Sequence, residues 1–396
     1  MPVDDAQVHA AIAEVVDPEL RLPLGRLGMV RSVGVRRGHV EVQLALPVAG
    51  YPGADELAGA VRAAAAAVPG VRDVAVSASA MSDEERVPLR QLLRGEPVGD
   101  EGHGHYHGHD HGHGHGHGHG GGTLGHEEGR PNRFMAPRSR TRVLGISSGK
   151  GGVGKSSVTV NTAVALARAG KDVAVLDADV YGFSVPAMLG VDRDPVILDD
   201  LVIPPTSHGV RCLSMGFFVP DETPVIWRGP MLHKALEQFL VDAYWGEPDF
   251  LLIDMPPGTG DVALSLGQYL SKTEVYVVTT PQAAAQRVAQ RSAYAARQLK
   301  LSVRGVIENM SWFTGDDGTR YELFGSGGGA QLAGELGVPL LGQVPLVPAV
   351  RVGGDVGTPV VVAEPDGEAA AAFAALAQRL IELGPARVYR NELTLR

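Results

Sequence analysis

The stretch Ser147-Ser148-Gly149-Lys150-Gly151-Gly152-Val153-Gly154-Lys155-Ser156-Ser157 constrains the fold of this chain more than any other. Its core fits G-x-x-x-x-G-K-[ST], the pattern of a phosphate-binding loop. Such a loop works only between a buried strand and a helix N-terminus. Its glycines let backbone N–H groups turn inward around phosphates, and the helix end adds partial positive charge. The flanks supply both elements. Val143-Leu144-Gly145-Ile146 reads as a buried parallel strand, and Val158 to Ala169 as a helix that Gly170 is placed to end. In that geometry Lys155 reaches the β/γ-phosphates and the Ser156 hydroxyl sits on Mg²⁺.

Two further apolar runs extend the pattern. Val173-Ala174-Val175-Leu176 ends in Asp177-Ala178-Asp179, and Phe250-Leu251-Leu252-Ile253 ends in Asp254. Carboxylates at the carboxyl ends of strands beside a phosphate loop lie where nucleotide chemistry occurs. Asp254 fits the Walker B position, which holds Mg²⁺ directly or through water. Glu274 to Thr280 and Val303 to Ile307 read as further strands, and Ala283–Leu299 as a helix. The large domain is therefore expected to be α/β, a mainly parallel P-loop NTPase sheet flanked by helices, over 141–385. A C-terminal tail follows at 386–396. The helix at about 367 to 383 places Phe373, Leu376, Leu380 and Ile381 on one face, as core packing requires.

Before this domain, residues 1–93 read as a small α/β domain. Val8, Ile12 and Val15 share a helical face that Asp17-Pro18-Glu19-Leu20 interrupts. Val40 to Leu46 alternates as a half-buried strand, Glu56 to Val68 reads as a helix, and Val71 to Val76 as a closing strand. Residues 94–140 lose hydrophobic periodicity and read as a flexible linker. Within it, His103 to His119 alternates histidine with mostly glycine. Imidazoles bind Zn²⁺, Ni²⁺ and Cu²⁺, but alternating glycine imposes no geometry, so a plain tether and a metal reservoir both remain open.

Bulk properties narrow the class. The net charge of −10 argues against a general nucleic-acid or anionic-membrane surface, and no apolar run approaches a membrane span. The single cysteine, Cys212, allows no intrachain disulfide and fits a reducing compartment. The N-terminal residues lack a signal-peptide pattern, so a cytoplasmic location is expected. Cys212 itself lies in the strand-like run Val210 to Met215 and reads as a small apolar core residue.

Lys150, directly after Gly149, gives K-G-G-x-G-K-S, which resembles the deviant Walker A loop of the MinD/ParA/Mrp class of P-loop ATPases. The words Trp227-Arg228-Gly229-Pro230-Met231, Glu308-Asn309-Met310, Phe324-Gly325-Ser326-Gly327-Gly328-Gly329 and Pro345-Leu346-Val347-Pro348 extend the resemblance to the Mrp (ApbC-type) family over nearly all of the chain except the linker. Asp17-Pro18-Glu19-Leu20, Leu27-Gly28-Met29-Val30 and Pro69-Gly70-Val71 resemble the small domain of iron–sulfur assembly factors.

The resemblance implies ATP hydrolysis in a homodimer closed around two Mg-ATP. Lys150 would reach the partner's nucleotide, Asp179 would lie near the attacking water, and Asn309 would hydrogen-bond adenine. Gly149, Lys150, Gly151, Gly152, Val153, Gly154, Lys155, Ser156 and Ser157 would cradle the nucleotide. Met255 to Asp261 corresponds to the switch II segment. The implied role is an ATP-dependent carrier of iron–sulfur clusters to apoprotein clients.

Three departures bear on that role. Phe183 and Tyr51 stand where the family usually has proline and, in a Gly-Cys-Pro turn, cysteine. The Cys-x-x-Cys usual after Asn-Met-Ser is also absent, because the chain reads Ser311-Trp312-Phe313-Thr314-Gly315-Asp316-Asp317-Gly318. Iron–sulfur clusters are held mostly by thiolates. A nucleotide-switched metal-delivery protein using the histidine tract, and an ATP-gated docking switch without its own cluster, therefore stand as alternatives.

Overall fold

A computed structural model describes residues 3–95, 132–137, 139–179, 182–218, 229–258 and 261–385. The histidine tract, most of the linker, the Trp227-Arg228 pair and the 386–396 tail lie outside these residues. The described chain divides into two compact units. One holds the small N-terminal domain together with Val196–Ile203, and the other holds the rest.

In the first unit, β1 (Val30–Arg36) pairs antiparallel with β2 (His39–Leu46), which pairs parallel with β3 (Asp73–Ala80). β2 buries alternate residues over most of its length, as its period-2 sequence requires, while α1 (Asp5–Ala13) packs on β1 and α2 (Ala54–Ala66) on β3. The first helix stops at Ala13, five residues before Pro18, so the Asp17–Leu20 word forms a separate turn. Its organiser is the fully buried Asp17. One carboxylate oxygen accepts from Glu19 N at 3.0 Å, Leu20 N at 2.7 Å and the Tyr51 hydroxyl at 2.9 Å. Burial pushes Asp17 above its ordinary value against the pull of these bonds. Tyr51, at the position where the resembled family has a thiol, is thus a buried hydrogen-bond donor.

A further helix, α3 (Asp83–Arg94), carries little signal in its apolar content. Its signal is the capping box Ser82-Asp83-Glu84-Glu85, in which Ser82 Oγ accepts from Glu85 N and Glu85 returns the bond to Ser82 N. Its Arg90 pairs at 3.2 Å with Asp199 of the Val196–Ile203 hairpin in the same unit.

The second unit is built on one sheet. Its strands are β4 (Arg142–Ser148), β5 (Val173–Asp177), β6 (Val210–Ser214), β7 (Phe250–Asp254), β8 (Glu274–Thr279), β9 (Ser302–Glu308) and β10 (Leu340–Gln343). The spatial order is β10-β9-β8-β4-β7-β5-β6, all parallel, with Thr206–Ser207 closing the edge antiparallel to β6. Strands β4 to β8 are buried at every residue, which explains why they read as continuous apolar runs rather than alternating ones.

Helix α4 (Lys155–Arg168) is buried along almost its whole length, between the sheet and the C-terminal helix Glu368–Leu383. At the amino-terminal foot of the sheet, Arg142 and Glu274 form a buried ion pair at 2.7 Å, far from the carboxyl ends that carry the site. No described helix is long and apolar enough to cross a membrane.

Candidate functional site

The carboxyl ends of β4, β5 and β7 bring the predicted phosphate loop and carboxylates together. Asp254 stands beside Ile146 on one side and Asp177 on the other in the parallel ladder. The loop between β4 and α4 bends back over this edge. Gly154, at φ +78°, is the N-cap of α4, and a β-carbon there would stand 2.3 Å from Asn309 Nδ2. Gly149 is tighter still. A β-carbon would meet Val288 C and Ala289 N at 2.2 Å, so the loop passes directly under the backbone of α5 (Ala283–Gln298). Both positions require glycine for close approach, beyond its freedom of φ.

Lys155 opens α4 and is 6% exposed. Its ammonium donates to Asp254 Oδ2 at 2.6 Å and lies 3.5 Å from Asp179 Oδ2. Ser156 Oγ donates to the same Asp254 oxygen at 2.6 Å. The other oxygen accepts from Thr159 Oγ1, also at 2.6 Å. Asp254 is fully buried. Asp254 and Asp179 thus flank a single ammonium, with Asp177 next to Asp254 in the ladder. The Asp254 carboxylate and the Ser156 hydroxyl, hard oxygen donors side by side, suit part of the coordination of a divalent cation such as Mg²⁺, the rest being left to phosphate oxygens and water.

The sequence pattern marks Asp179, yet Asp177 organises this corner. Its carboxylate accepts from Asp179 N at 3.2 Å, Val185 N at 3.3 Å and Ser214 Oγ at 3.1 Å. It therefore holds the main chain at Asp179 and again at Val185. Burial, then the neighbouring Asp254 charge, push Asp177 up to about 7. Its folded-state value lies above its unfolded one, so folding takes up a proton there. The stabilisation from this group is complete below the ordinary value of 3.8 and is lost as pH rises to about 7. In EDTA, urea unfolding of the wild type should therefore carry a downward stability slope across this window. Asp177→Asn should flatten it, and an unchanged slope would assign the titration to another group.

The loop after β7 is tied to the phosphate loop. Gly258 N donates to Ser148 O at 2.9 Å, and Ser292 of α5 bridges Ser147 Oγ at 2.9 Å and Gly258 O at 3.4 Å. Asp261 begins the helix Asp261–Tyr269. Lys150 is half-buried, and its side chain makes no hydrogen bond or ion pair with a described residue; its carbonyl accepts from Ser148 Oγ at 3.1 Å.

Asn309 follows β9 and is 6% exposed. Its Nδ2 donates to Val153 O at 2.9 Å, which fixes the amide against the loop. A cavity of about 250 Å³ opens beside it, lined by Ser157, Met310, Pro345, Leu346 and Val347 among others.

The segment after Ser311 is a short hairpin, Phe313–Thr314 against Arg320–Tyr321, with Asp316 and Asp317 exposed at its turn. Glu368 clamps it, accepting from Trp312 Nε1 and Thr314 Oγ1, each at 2.8 Å. Cys212 is fully buried in β6, opposite Val175. Burial, with the Asp177 charge adding to it, pushes the thiol well above its ordinary value. Among the described residues, no group of three or more His, Cys, Asp or Glu side chains could hold a metal ion by themselves.

A parallel sheet with a glycine loop, a buried Lys–Ser–Asp cluster and an early loop lysine defines a P-loop NTPase of the deviant Walker A type. Comparison with known proteins carries the identification further. Residues 139–381 match the NUBPL iron-transfer P-loop NTPase family, and residues 5–78 match the iron–sulfur cluster assembly protein family. The chain belongs to this iron-transfer P-loop NTPase family.

Among its relatives are the iron–sulfur cluster carrier proteins of Mycobacterium tuberculosis and Synechocystis. The first is 44% identical over 91% of this chain and 89% of the relative. The second is 37% identical over 94% and 96%. Among solved structures, a nucleotide-binding protein from Archaeoglobus fulgidus in complex with ADP is 32% identical. It covers 59% of this chain and 93% of its own, at a TM-score of 0.51.

Proposed function

We propose that this chain is an ATPase whose nucleotide cycle drives delivery of iron–sulfur clusters to apoproteins. The observation that carries the nucleotide half is the buried cluster of Lys155, Ser156 and Asp254 at the carboxyl edge of the sheet. The cargo half rests on membership in an iron-transfer family and on relatives named as cluster carriers.

In the proposed cycle, backbone N–H groups of Gly149 to Ser157 cradle the phosphates. Lys155 leaves Asp254 for the β/γ-phosphates. Ser156 and Asp254 hold Mg²⁺, which supplies charge neutralisation on the phosphate oxygens. Asp179 orients the attacking water, and Lys150 reaches the nucleotide of a second copy in a homodimer. Asn309 lines the adjoining cavity with its Nδ2 on Val153 O, and its carbonyl oxygen is assigned to the base. There it accepts from the adenine amino group. The domain division 1–93, 94–140, 141–385 and the cytoplasmic location are part of the same reading.

The lone thiol is a poor ligand for the cargo. Cys212 is fully buried and its thiol is held protonated, so it offers no thiolate at the surface. The chain therefore acts on the cluster as a nucleotide switch without cysteine ligation of its own. The test is activation of an apo-[4Fe–4S] client from a supplied cluster source. Activation should require ATP and should proceed at the same rate with Cys212→Ala. An ATP-independent rate would overturn the switch. Loss of iron and sulfide with Cys212→Ala, at unchanged stability, would overturn the thiol-free reading.

A further inference from the structure

We propose that Thr159 is a positioning residue for the magnesium carboxylate, an inference that rests on the nucleotide-binding reading above. Thr159 lies one helical turn after Lys155 and is fully buried. Its hydroxyl is 3.0 Å from Lys155 O and 2.6 Å from Asp254 Oδ1. A hydroxyl has one proton to give. The shorter, charge-assisted bond to the carboxylate takes it, because the Lys155 carbonyl already has its own helical N–H partner.

The two oxygens of Asp254 are thereby divided. Oδ1 is committed to the helix, while Oδ2 faces the loop and takes Lys155 Nζ and Ser156 Oγ. The loop-side partners change when Lys155 turns to the phosphates, but the Thr159 bond does not depend on nucleotide. It holds the carboxylate plane while Oδ2 is handed from an ammonium to a divalent cation. Without it the terminal torsion of Asp254 has a broad, two-fold well to turn in, and Oδ1 becomes a buried acceptor with no donor. Partners that orient a metal ligand typically control about 10–100-fold in metal affinity.

The experiment is equilibrium titration of the full chain with a fluorescent ATP analogue, in EDTA and across a Mg²⁺ series, with no turnover measured. Thr159→Val, which keeps the shape and removes the donor, should bind the analogue in EDTA within about twofold of wild type. In Mg²⁺ it should bind about tenfold more weakly, with a matching rise in the Mg²⁺ half-saturation. Thr159→Ser should restore both. Should the valine variant fold poorly, Thr159→Ala against Thr159→Ser isolates the same hydroxyl.

A Mg²⁺ response equal to wild type overturns the assignment, as does an equal loss with and without Mg²⁺, which is what a merely structural role gives. Wild-type protein that fails to bind the analogue with or without Mg²⁺ overturns the nucleotide reading itself, whereas wild-type binding that ignores Mg²⁺ overturns the placing of the cation at Asp254, so the failures are separately visible.

Discussion

Lys150→Ala should bind ATP as the wild type does and lose hydrolysis by roughly 10³-fold, the lower range known for an arginine finger. The binding half follows from what Lys150 touches. Its side chain has no hydrogen bond or ion pair to a described residue, so its removal breaks no such bond among them. Its backbone, in contrast, is fixed. Gly149 is wedged beneath Val288 and Ala289, and Ser148 Oγ holds the Lys150 carbonyl. A rigidly placed main chain with an uncommitted ammonium suits a charge delivered to a second nucleotide.

The turnover half follows from where charge develops. A loss of 10³ corresponds to about 4 kcal/mol of transition-state stabilisation, more than a solvated loop lysine supplies. Single-turnover hydrolysis, beside a titration of nucleotide affinity, measures the two halves separately. A rate equal to wild type would remove Lys150 from the reaction. Mixing Lys150→Ala with a hydrolysis-dead chain that keeps Lys150 should recover activity if the lysine acts across the dimer.

The parts of this molecule that the sequence announces are those whose partners lie close along the chain or whose burial is complete. Strands β4, β5 and β7 are apolar at nearly every residue because helices cover both sheet faces, so their limits and terminal aspartates can be read directly. Helix α3 is hard to read because its composition is charged and it contains Pro88; only the capping box at Ser82 and Glu85 marks it. The Lys155–Asp254 bond joins residues 99 apart, and the motif names both ends without saying that they meet when no nucleotide intervenes. Thr159 and Asp177 were hidden for a related reason. Each is an ordinary polar residue in a regular element, and only the ladder that sets Asp177 beside Asp254 makes it an organiser. Tyr51 shows the reverse. A residue that looked like a lost thiol is one of the buried donors that holds the Asp17 turn.

Lys155→Ala should fail in two ways, and the second separates the ion pair from the phosphate contact. ATP binding and hydrolysis should both fall, because the ammonium aimed at the β/γ-phosphates is gone. The nucleotide-free protein should also lose stability. Lys155 is 6% exposed and its partner Asp254 is fully buried, so little solvent screens the pair. Removing one member of a buried ion pair leaves the other uncompensated and costs about 3–5 kcal/mol. Here Asp179 stands close to the orphaned carboxylate, as does Asp177, whose charge deepens the loss at the higher pH where it ionises.

Urea unfolding in EDTA reads this cost. It should be larger at pH 8 than at pH 5, since Asp177, pushed up to about 7, is charged beside Asp254 at the higher pH and neutral at the lower. The double variant Lys155→Ala/Asp254→Asn should recover most of the stability and none of the hydrolysis, because the amide needs no counter-ion yet cannot replace the carboxylate at Mg²⁺. A Lys155→Ala chain as stable as wild type would mean that the ammonium and Asp254 do not pair in the resting protein. The lysine would then have to be drawn to the phosphates from solvent rather than released from Asp254.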